Sequence, residues 1–200
     1  MIRLISLLMA ILFATTLTAA AKDKKSLTEL EKTCFSKEGD PQIIMEACQE
    51  VRFQSWNKNA KEKALKAATQ ACSFRSEMDC AFAGSVWLEK KEFHKARAFF
   101  MEAYKINEER RDSPLGINPY FAKTFYSELA KMLLTGAGGP IDSQLAKTVF
   151  EQGCEVDDGK SCAGLGIIIT SEPNPDFPRA ALVFNKACDA GFGLGCFMLA

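Results

Sequence analysis

Apolar residues recur at intervals of three and four in four stretches of the chain: Ala64 to Cys72, Ala96 to Tyr104, Ala146 to Cys154 and Ala180 to Cys188. That is helical periodicity, with one face of each stretch turned to a core. Three of the stretches end in a short turn, as at Asp157-Asp158-Gly159, followed by a second run rich in small residues, such as Cys162-Ala163-Gly164-Leu165-Gly166. The stretch from Ala96 leads into a longer loop, Arg110 to Asn118, with Pro114 and Gly116. The turns carry helix-start signals: Asp79 before Cys80, Asp157-Asp158-Gly159 before Ser161, and Asp142 before the helix of Phe150. Breakers separate successive pairs, as in Gly136-Ala137-Gly138-Gly139-Pro140 and Pro173-Asn174-Pro175. No convincing strand alternation occurs. The pattern predicts antiparallel helix pairs.

The pairs repeat. Cys72 and Cys80, Cys154 and Cys162, and Cys188 and Cys196 are each eight positions apart, and the last two pairs lie 34 residues from each other. A fixed pair spacing inside a fixed period marks a repeated structural unit. Five units are expected, at about 26–56, 58–90, 92–135, 142–171 and 176–200 of a repeat domain spanning 22–200. The first is stretched: Cys34 and Cys48 are fourteen apart, with Gly39-Asp40-Pro41 as a helix stop and restart, so an extra turn precedes Cys48. The third places Tyr104 and Tyr126 where cysteines would fall, and these two rings are expected to meet.

Residues 1–21 read differently. Arg3, an apolar run from Leu4 to Leu17 and Ala19-Ala20-Ala21 form the pattern of a secretory signal peptide, too short and weakly flanked to anchor in a membrane. All eight cysteines follow it. An even number in an exported chain reads as a disulfide framework, placing the protein in the periplasm or outside the cell. Zinc is the competing use of such cysteines, but there is no C-x-x-C and only one histidine, His94. No cofactor or metal is expected. Acids and bases balance at 25 each, which leaves no basic field for nucleic acid or anionic lipid. At the mouth of a helix hairpin two cysteines reach the separation that a disulfide requires.

The frame Ala-x-x-x-Phe-x-x-x-Cys, a short acidic or glycine-bearing turn, then Cys followed by small residues resembles the Sel-one-like repeat (SLR) family, relatives of the tetratricopeptide repeat. The eight-residue cysteine spacing is similar more narrowly to the Helicobacter-type cysteine-rich proteins. The resemblance covers about Leu27 to Ala200. It implies an all-α, right-handed α/α superhelix with one disulfide per helix pair: Cys34–Cys48, Cys72–Cys80, Cys154–Cys162 and Cys188–Cys196. It also implies a scaffold whose concave face, formed mostly by first helices, holds a protein or peptide.

The runner-up function implied by the resemblance is β-lactam binding or hydrolysis. Ser55-Trp56-Asn57-Lys58 fits the Ser-x-x-Lys element of serine β-lactamases, but its Ser-Asp-Asn and Lys-Thr-Gly companions are missing and the match falls in a link between units. His94 reads as a surface residue at a helix start. Phe93, Phe99, Phe100 and Tyr104 read as core; Tyr120, Phe121, Phe125 and Tyr126 are more aromatics than one helix face needs, and the alternative to core packing is that part of them lines a ligand groove. Only Phe197-Met198-Leu199-Ala200 follow Cys196, so the last second helix is expected to be about a turn long, with a frayed or self-associating C-terminus, or a chain continuing past residue 200.

Overall fold

The computed structural model describes residues 25–111, 123 and 125–200. The signal-peptide segment lies outside these residues, as do Pro114 and Gly116 of the longer loop, Tyr120 and Phe121. Among them the chain is built of ten helices and no strand, each packed on the helix before and after it. They are α1 (Leu27–Cys34), α2 (Pro41–Asn57), α3 (Lys61–Ser73), α4 (Glu77–Glu89) and α5 (Phe93–Arg110). The second half holds α6 (Tyr126–Thr135), α7 (Ser143–Glu155), α8 (Gly159–Ser171), α9 (Phe177–Asp189) and α10 (Gly193–Leu199). Odd-numbered helices are the first of each pair and even-numbered ones the second. The architecture is an α/α solenoid.

One turn recurs and accounts for the eight-residue spacing. After α3, α7 and α9 the middle residue of the connection takes a left-handed conformation: Arg75 (φ 65°), Asp157 (φ 58°) and Gly191 (φ 79°). In each, two amide N–H groups fold back onto the last turn; Arg75 N donates to Cys72 O and Ser76 N to Ala71 O. The same pattern closes α2 at Asn59 (φ 58°) and α4 at Lys91 (φ 60°). This is the Schellman arrangement, which satisfies otherwise orphaned carbonyls. A cysteine one residue before the helix end, this three-residue turn, and a cysteine in the next first turn add up to a separation of eight. In the first pair Cys48 lies a full helical turn deeper in its helix, and a six-residue connection precedes it, capped by Asp40 with Pro41 at the first helical position. These two changes, less one residue because Cys34 is itself the last residue of α1, stretch the separation to fourteen.

The starts of the second helices correct one expectation. Ser76, not Asp79, is the N-cap residue of α4; Asp79 sits in the first turn and accepts a hydrogen bond from the Ser76 hydroxyl. In α8 the two residue types are exchanged: Asp158 is the cap, and Ser161 in the first turn donates to it at 2.5 Å. The hydrogen bond is retained with its ends swapped. Asp79 is wholly buried and also holds Arg52 of α2, Nε to Oδ1 at 2.5 Å, and Gln49, which tie the first unit to the second. The last helix corrects another expectation: α10 is seven residues long, about two turns, because helical hydrogen bonding begins at Gly193, before Cys196.

The small residues after each second cysteine act as sockets. Phe100 of α5 lies on Gly84 of α4, and Phe184 of α9 on Gly166 of α8; a Cβ at either glycine would fall 2.6 and 2.5 Å from the ring. Each glycine stands four residues after its cysteine, so one lock joins successive units twice. In α6 the matching position is Ala130, and Phe150 of α7 lies on Gly164 within its own pair. Phe99 is only partly buried and Phe93 is 44% exposed, so the expected aromatic core reduces to Phe100 and Tyr104.

Candidate functional site: an apolar groove on the second helices

Four disulfides close Cys34–Cys48, Cys72–Cys80, Cys154–Cys162 and Cys188–Cys196, with Cα separations of 4.5 to 4.7 Å. Such separations fall inside the window for an unforced bridge. Three of the bridges are buried; in the last, Cys188 is half-buried and Cys196 exposed.

The unit without a bridge is held by aromatic and polar packing. The Tyr104 and Tyr126 rings meet edge to face, centroids 6.4 Å apart, and Phe125 stacks on Tyr126 at 4.6 Å. With its amide turned to face the carboxylate, Asn107 donates to Glu77 of the preceding unit at 2.6 and 3.2 Å. The Tyr126 hydroxyl itself is buried without a hydrogen-bond partner. Burial raises the Glu77 carboxyl above its ordinary value, against the pull of Arg110. Phe125 and Tyr126 are fully buried, so they line no ligand groove. Their reading as groove residues failed because both side chains fill the space left where the other units have a disulfide.

Burial also pushes the Tyr126 phenol up to about 12, with Asn107 and Arg111 pulling the other way. A folded value above the unfolded one contributes stability that is present below pH ~10 and lost as pH rises through the folded value. Spectrophotometric titration of tyrosinate should therefore show one phenol ionising last, near 12, with stability falling over the same interval. Tyr126→Phe should remove both the late step and that part of the alkaline loss. A late step that persists in the variant would assign it elsewhere.

The chemistry suggested by Ser55 fails on position. The Ser-x-x-Lys match is not in a link: Ser55 lies in the last turn of α2, is 1% exposed, and its hydroxyl has no partner. A nucleophile must be reachable by substrate and sit beside a base. His94 is exposed in the first turn of α5, near Glu92 and Lys95. Among the described residues no group of three metal-ligating side chains converges.

An apolar groove of about 280 Å³ crosses the second helices of the last three units. Leu134 of α6, Ile167 and Ile168 of α8, and Phe192 and Leu194 at the start of α10 form its walls. Phe150 forms the floor through the gap that Gly164 leaves, since a Cβ there would fall 2.5 Å from the ring. Ile167 is 43% and Leu194 39% exposed, so the walls are open to solvent. Lys131 and Lys160 stand at the rim. The groove thus lies on second helices, whereas the family resemblance implies a face built by first helices. Helical periodicity cannot tell a covered apolar residue from an open one, and Leu194 lies before the expected start of the last helix.

Among solved structures, the chain is similar to a protective antigen present in uropathogenic Escherichia coli strains that displays an SLR fold, with a TM-score of 0.64 and 21% identity. A Sel1 repeat protein from Oxalobacter formigenes follows at 0.59 and 16%. They cover 91% and 78% of this chain, which spans only 38% and 60% of their lengths. No protein-family model matches the chain, and no curated protein matches it. The chain has the Sel1-like repeat fold.

Proposed function

We propose that the chain is an exported repeat scaffold that binds a partner protein in the bacterial envelope, with the groove on α6, α8 and α10 as its docking surface. The observation that carries this reading is that three successive units contribute walls to one solvent-open apolar groove. Stacked repeats characteristically bind through extended surfaces of this kind. Apolar walls with few polar groups at the rim are also what partner anchors require.

Export is supported by the signal-peptide pattern of residues 1–21 and by four disulfides, which persist in oxidising compartments. Among the described residues no helix is long and apolar enough to cross a membrane. The Escherichia coli neighbour being a protective antigen supports an exported setting as well. The eight-residue cysteine pairs support kinship with the Helicobacter-type cysteine-rich proteins.

A photo-cross-linking residue placed at Ile167 or Leu194 tests the reading in cells. The expected result is a discrete adduct in the periplasmic or secreted fraction from both positions, absent when the probe replaces the equally exposed Ile43 of α2. The exported chain should begin at Lys22. An uncleaved cytoplasmic chain, or the same adducts from Ile43, would overturn it.

A further inference from the structure

The rim of the groove says what kind of partner it suits. Lys131 and Lys160 both reach the same carboxylate, Glu128, at 3.0 and 3.9 Å, and among the described residues neither has another acidic partner. Two cations sharing one anion leave a net positive charge beside an apolar wall. Both lysines are about half exposed, with side chains 51% and 54% accessible. Lys160 also occupies the first turn of α8, where the helix dipole disfavours a cation and adds its own positive potential. Its pairing with Glu128 is long and half-exposed, so a lysine there works mainly against its own helix dipole.

The size of the groove bears on the occupant. At about 280 Å³ it lies just below the usual span of small-molecule sites, ~300–1,000 Å³. It fits side-chain anchors from one face of a helix better than an enclosed small ligand. Resting on the scaffold reading above, we infer that the groove takes an amphipathic helical segment of a partner protein whose apolar anchors are flanked by acidic residues. The anchors pack on Ile167, Leu194 and the Phe150 floor, and the acidic groups displace Glu128 as the counter-charge of Lys131 and Lys160.

Three synthetic helical peptides of about 14 residues test this, with identical leucine anchors and flanking Glu, Gln or Lys. Binding to the full oxidised chain is read by fluorescence anisotropy. The acidic peptide should bind about tenfold more tightly than the Gln peptide, and the Lys peptide more weakly than either. The preference should shrink at about 0.5 M salt. Ile167→Glu, or independently Leu194→Glu, should abolish binding of all three while circular dichroism stays unchanged, because both side chains are already partly exposed. The double variant Lys131→Gln with Lys160→Gln should bring the acidic peptide down to the Gln level and leave the Gln peptide where it was.

If all three peptides bind equally and Ile167→Glu still abolishes binding, the acidic preference is wrong and the scaffold reading stands. If no peptide binds, or if neither groove variant changes binding, the docking surface itself is wrong. Dodecanoate binding that depends on Ile167, with no peptide binding, would overturn the inference in favour of an acyl chain. A concentration-dependent dimer abolished by Leu194→Glu would overturn it in favour of a second copy.

Discussion

Reduction of the four disulfides should lower the urea midpoint steeply and leave little folded chain at ordinary temperature. Closing the fourteen-residue separation of Cys34–Cys48 is worth about 3 kcal/mol of unfolded-state entropy, and each eight-residue separation about 2.6 kcal/mol. Together they reach about 11 kcal/mol, as large as the whole net stability of an ordinary domain. The sum is an upper figure because part of each gain is lost when neighbouring loops are already closed. Paired urea melts with and without reductant read the effect, and coincident midpoints would refute it. The loss should also be ordered along the chain. Cys188–Cys196 is the solvent-exposed bridge and clamps only the two-turn α10, so it should reduce first and fray the last pair without global unfolding. Replacing Cys72 and Cys80 by serine should instead weaken the interior, because that bridge is buried between pairs.

The repeat and its clamps were legible in the chain because both are periodic. Cysteine spacing marked the hairpins, and the alignment that put Tyr104 and Tyr126 at the vacant cysteine positions also put their rings together. What was not legible depended on contacts without a period. Asp79 looked like a helix-start residue, since Asp before an apolar run usually is one; its bond to Arg52 spans 27 residues and is made once. Ser55 looked like part of a link because the Schellman turn at Asn59 has no distinctive residues, so the true end of α2 was hidden.

The groove escaped notice for a related reason. Its walls come from three helices, and Leu134 and Ile167 each satisfy the helical pattern as core residues would. Only the positions of neighbouring units decide which apolar residue is covered. The lysines carried a signal that could have been used: Lys160 directly after Asp158-Gly159 puts a cation in a helix's first turn, against the dipole. A residue that is locally unfavourable and only weakly paired is a pointer to function.

The Phe–Gly locks make the second large expectation. Phe184→Ala should cost about 3–5 kcal/mol, since the ring is 3% exposed and fills the space over Gly166 between the last two units. Gly166→Ala should also destabilise, by about 1–3 kcal/mol, although alanine favours helix over glycine, because its methyl would fall 2.5 Å from that ring. The two effects should not add. In Gly166→Ala with Phe184→Leu the shorter side chain leaves room for the methyl, so the double variant should be more stable than the sum of the single losses predicts. The same coupling is expected between Gly84 and Phe100. Ala130→Gly, at the socket position of α6, should lose about 1 kcal/mol of helix propensity together with the burial of its methyl, since Ala130 is fully buried. Thermal melts of the oxidised variants decide the matter. Additive losses at Gly166 and Phe184 would mean that the ring and the helix backbone are not locked together.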